Sequence, residues 1–65
     1  MPSKHTFAQR FFESLDQSRM DSAQSLNYAI AHSEADKKVG VGERRTDEWC
    51  QVFAKTWFNA QLASR

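Results

Sequence analysis

The chain has 65 residues, is 40% hydrophobic and 26% charged, and carries a formal net charge of +1. That length holds a single domain over 1–65, and the composition is too apolar for a disordered tail. The near-neutral balance excludes a histone-like protein or an acidic mimic, both of which carry lopsided charge.

Strand signals are almost absent, since no segment alternates cleanly with period two. Proline occurs only at position 2 and glycine only at 40 and 42, so residues 3–38 contain no helix breaker. A first helix is predicted over about 3–15, with Pro2 and Ser3, or else Thr6, at its start. Phe7, Phe11 and Leu15 share one face there, widened by Ala8 and Phe12.

A second helix is predicted over about 18–38. Ser18 followed by Asp21 resembles a capping box with Asp in place of Glu. Ala23, Leu26, Ala29 and Ile30, with Met20, form the expected apolar stripe. Lys37 and Lys38 suit the negative end of the helix dipole. One continuous helix would keep its apolar face in register with the first. However, Asp16, Gln17, Ser18, Arg19, Asp21 and Ser22 are polar or poor helix formers, which favours a break at 16–18.

Gly40 is placed to cap the second helix, and Thr46 starts a third over about 46–63. Asp47 and Glu48 stand in its first turn, the favoured position for negative charge. Trp49, Val52, Phe53, Trp57 and Ala60 form a broad apolar face with Cys50 at its edge. Phe58 and Leu62 fall outside it and make a second stripe beside Gln51, Lys55 and Asn59. An amphipathic helix ordinarily has one stripe. The second is either core, if the helix is sandwiched, or a docking surface, with Phe12 and Tyr28 as further contributors from the margins of their own faces.

A domain of this size buries only about 60% of its unfolded surface, so it leans on a disulfide, a metal or a partner. The lone Cys50 forbids an intrachain disulfide and fits a reducing compartment. His5 and His32 are the other soft ligands, and no CxxC or HxxxH spacing exists, so neither metal nor other cofactor is expected. Association is the remaining support. No apolar run reaches signal-peptide or membrane-spanning length, so a cytoplasmic protein without membrane contact is expected.

The Gly-containing loop before the third helix offers Lys37, Lys38, Arg44 and Arg45 near a helix N-terminus, an arrangement that can hold a phosphate. It is neither a Walker A loop nor a dinucleotide fingerprint, and Glu34, Asp36, Glu43, Asp47 and Glu48 oppose an anion there. Asp47 and Glu48 also suit a DNA-recognition helix poorly. No spacing suggests a catalytic triad, and a buried structural role for Cys50 outweighs a Cys50–His32 nucleophile and base, so no enzyme is expected.

The expected fold is therefore an all-α, small three-helix bundle; a long helical hairpin that dimerises is the alternative. The expected function is a non-enzymatic module that binds and regulates or inhibits a larger protein as a homo-oligomer. Phe58, Leu62, Phe12 and Tyr28 form its partner-binding set. Small helical proteins without site chemistry, including many from phages, often act this way, an analogy of size rather than of motif. The alternative is a phosphate- or nucleic-acid-binding regulator using Lys37, Lys38, Arg44 and Arg45.

Overall fold

The computed structural model describes residues 6–64. The chain forms a small all-α bundle of three helices packed against one another: α1 (Phe7–Ser14), α2 (Ser22–Val39) and α3 (Asp47–Ala63). Short 3₁₀ turns at Gln17–Arg19 and Val41–Glu43 separate them, so the single long first helix of the hairpin alternative does not form. The positions 3–5 assigned to the first helix, with Pro2, Ser3 and His5, lie outside the described residues.

Each boundary has a local cause. Thr6 caps α1 through a reciprocal box: its hydroxyl accepts from the Gln9 amide at 3.2 Å, and its own amide donates to Gln9 Oε1 at 3.0 Å. Asp16 Oδ1 accepts from the Ser18 amide and hydroxyl, which stabilises the turn that breaks the chain. The Ser18–Asp21 capping box is not the start of α2. Asp21 is itself the cap, accepting from the Gln24 amide at 2.8 Å, while Ser18 sits inside the 3₁₀ turn. Gly40 ends α2 at φ +118°, a conformation that side chains disfavour. Thr46 caps α3, accepting from the Trp49 amide at 3.1 Å.

The central helix is α3, which packs against both α1 and α2. Trp49, Phe53 and Trp57 run along it as a row of rings, with centroids 5.4 and 6.3 Å apart, and all three are buried. Cys50 and Ala54 complete its inner surface, and α1 contributes the buried Ala8. Phe11, Phe12 and Leu15 pack at the margin of this core, whereas Phe7 points mainly to solvent. The inward face of α1 is thus centred one residue beyond the Phe7 line.

The structure corrects the assigned face of α2. Its buried positions are Asn27, Ala31 and Ala35, while Ala23, Leu26, Ala29 and Ile30 are exposed. The large rings of α3 fill the space between the two helices, so the facing positions of α2 must be small. Burying Asn27 is tolerated because its amide donates to Gln61 Oε1 at 3.0 Å, and Gln61 Nε2 donates in turn to Gln24 Oε1 at 3.0 Å.

Candidate interaction surface

The second stripe of α3 lies on the solvent side of the α1–α3 seam. The Phe58 ring tilts against Phe11 at 5.1 Å, and Phe11 meets Trp57 edge-on at 6.2 Å. Phe7 extends the row, stacked on Phe11 at 6.5 Å. The rings thus lead from the core outward: Trp57 is buried, Phe11 half-buried, Phe58 47% exposed and Phe7 74% exposed. Leu62, one turn beyond Phe58, is 65% exposed. Phe58 also borders a shallow hollow of about 400 Å³, lined further by Gln24, Trp57, Gln61 and Ser64. Nothing in the sequence singled out Phe7 for this patch, because its i, i+4, i+8 spacing with Phe11 and Leu15 matches a core face equally well.

Phe12 and Tyr28 do not join Phe58 and Leu62. Phe12 meets Trp49 and Phe53 edge-on, each at 4.9 Å, and stacks on Tyr28 at 6.2 Å. Tyr28 meets Phe53 at 5.2 Å and stacks on His32 at 5.9 Å. These two side chains close the core between α1 and α2, so their contacts are inside the bundle. Burial raises the Tyr28 hydroxyl above its ordinary pKa, with Arg45 opposing the shift.

Of the four basic residues of the loop region, Arg44 is engaged within the fold. Arg44 grips Asp36 in a two-pronged ion pair, with Nε to Oδ1 at 2.9 Å and Nη2 to Oδ2 at 2.7 Å. Asp36 Oδ1 also accepts from Trp49 Nε1 at 2.9 Å, and His32 Nδ1 lies 3.4 Å from Oδ2. The Arg44 hydrogen bonds hold the Asp36 carboxyl well below the usual carboxylate range; burial opposes this, and the Trp49 bond adds to it. Lys37 stands 3.8 Å from Glu34 on an exposed turn, and Lys38 is exposed at the end of α2. Arg45 occupies a left-handed conformation at φ +73°, and its carbonyl accepts from Gln9 Nε2 at 3.2 Å. Arg44 is thereby a tie between α2 and the loop rather than a free anion ligand. The sequence hid this tie, because Asp36 and Arg44 meet only once Gly40 has turned the chain.

Cys50 is buried, and burial pushes its thiol upward, with the charges of Glu13 and Asp47 adding to the shift and Arg45 opposing it. Among the described residues, no cluster of His, Cys, Asp and Glu is arranged to hold a metal ion. Among the same residues, no helix is long and apolar enough to cross a membrane. On α2, Leu26 is 61% and Ile30 42% exposed, an outward apolar face that sequence periodicity had assigned to the core. Comparison with protein-family models, curated proteins and solved structures finds nothing that matches this chain.

Proposed function

We propose that this protein is a non-enzymatic, cytoplasmic interaction module that binds and regulates or inhibits a larger protein, and that it works as a homo-oligomer. The observation that supports the binding role is the apolar row Phe7, Phe11, Phe58 and Leu62 along the α1–α3 seam, with the hollow beside Phe58. Large exposed apolar groups on so small a molecule are a liability unless something covers them, and clustered aromatic groups beside a concavity are the usual anchors of a protein interface. The lone buried thiol is consistent with a reducing compartment.

The test is the double substitution Phe58→Ser with Leu62→Ser. Helicity and melting temperature should stay near wild type, while any protein retained from a cell extract by the wild-type chain is no longer retained. A steep fall in the melting temperature of a monomeric protein would show instead that these side chains serve folding.

A further inference from the structure

We infer that the outer face of α2 is where this chain meets a second copy of itself, with the two α2 helices antiparallel about a two-fold axis at Ala29. This develops the self-association half of the function proposed above and assigns it to a face other than the α1–α3 seam.

The face is built for a helix to lie on. An open trough of about 600 Å³ runs along α2, bordered by Ser25, Ala29, Ser33 and Lys37, with Tyr28 and His32 on its inner wall. The first three of these side chains are small, which lets a second backbone approach closely. Leu26 and Ile30 stand beside them, the first mostly and the second partly in solvent. A closed pair needs a self-complementary surface, in which residue i meets j and j meets i. Pairing about Ala29 supplies one. Ser25 and Ser33 lie four residues to either side of Ala29, so each meets the other's counterpart. Leu26 then falls over the small Ala29 and Ser33 of the second copy, large against small.

Charge selects the direction. Asp21 and Lys37 lie eight residues on either side of Ala29, about 12 Å along the axis at 1.5 Å per residue. Antiparallel pairing therefore brings Lys37 of each copy beside Asp21 of the other. Parallel pairing would set Lys37 against Lys37 and Asp21 against Asp21, and would align two helix dipoles. Both groups are available on the surface: the Asp21 cap uses Oδ1 toward Gln24, and the Lys37–Glu34 contact is a long, exposed pair.

Light scattering over a concentration series, with helicity followed by circular dichroism, tests the assignment. The wild-type chain should form a dimer. Ala29→Glu should weaken it by at least about tenfold through two like charges at the axis, with helicity unchanged because position 29 is exposed. Under mild oxidation, Ala29→Cys should cross-link to its own copy, whereas Ser25→Cys should not, its counterpart lying about 12 Å away along the axis. Phe58→Ser with Leu62→Ser should leave the dimer intact. A wild-type monomer at all concentrations, a dimer indifferent to Ala29→Glu, or equal cross-linking through Ser25→Cys would each overturn the inference. A dimer abolished by the Phe58 and Leu62 substitutions would overturn it too, and would make the α1–α3 seam the self-contact. Loss of extract partners with the dimer retained would support both readings separately.

Discussion

Asp36 shows how much a single side chain can tie together in a small fold. It links α2 to the following loop through Arg44 and to the core through the Trp49 indole. Its carboxyl is held below the ordinary range, so the ionised form stabilises the folded state. That contribution is complete above the unfolded carboxylate pKa of about 3.9 and is lost as pH falls from there toward the folded value. The melting temperature of the wild-type protein should therefore drop as the solution is acidified below about pH 4. Asp36→Asn should lower the melting temperature at neutral pH and flatten this acid limb. An unaltered acid limb in the variant would place the effect on other carboxylates. The clamp was not legible in the sequence: Asp36 looked like one of several acids opposing an anion site, and its partner Arg44 lies beyond the Gly40 turn.

At the scale of the elements, the chain punctuates itself clearly. Gly40 and Thr46 were readable as the end of α2 and the start of α3, because φ > 0 and a side-chain cap are requirements that few residue types meet. Thr46→Ala should cost about 1 kcal/mol in chemical denaturation, since the Trp49 amide loses its acceptor. Gly40→Ala should cost about 1–3 kcal/mol, because a Cβ at φ +118° strains the backbone even though it would meet Glu43 Cγ only at an ordinary 3.8 Å. Equal stability of the glycine and alanine forms would mean that the turn relaxes elsewhere. The face of α2 was a different matter. Periodicity ranks positions by hydrophobicity, but packing ranks them by fit, and α3 is faced by Asn27, Ala31 and Ala35. The chemistry of Leu26 and Ile30 said core, whereas the geometry turned them outward.

For the whole molecule, stability rests on one central helix. Trp49, Phe53 and Trp57 form most of the large buried surface, and a domain of this size holds only a few kcal/mol in reserve. Phe53→Ala should cost about 3–5 kcal/mol and leave the chain largely unfolded by circular dichroism. Leu62→Ser, on a side chain mostly in solvent, should change stability by roughly 0.5 kcal/mol or less. Similar losses from both substitutions would contradict a core confined to the inner face of α3. Among the described residues, apolar surface is left outside the packed interior along the α1–α3 seam and along the outer face of α2.

The amino-acid sequence by itself determined the all-α class, the break between α1 and α2, the capped start of α3 and the excess of apolar groups over one core. These follow from local chemistry, in which glycine, proline, caps and helical spacing act within a few residues of one another. Tertiary structure alone decided which excess groups stay outside, that Phe12 and Tyr28 close the interior, and that Arg44 is bound to Asp36. Those outcomes depend on the volumes of side chains brought together from distant parts of the chain, and a small core is filled by whatever fits beside two tryptophans and a phenylalanine.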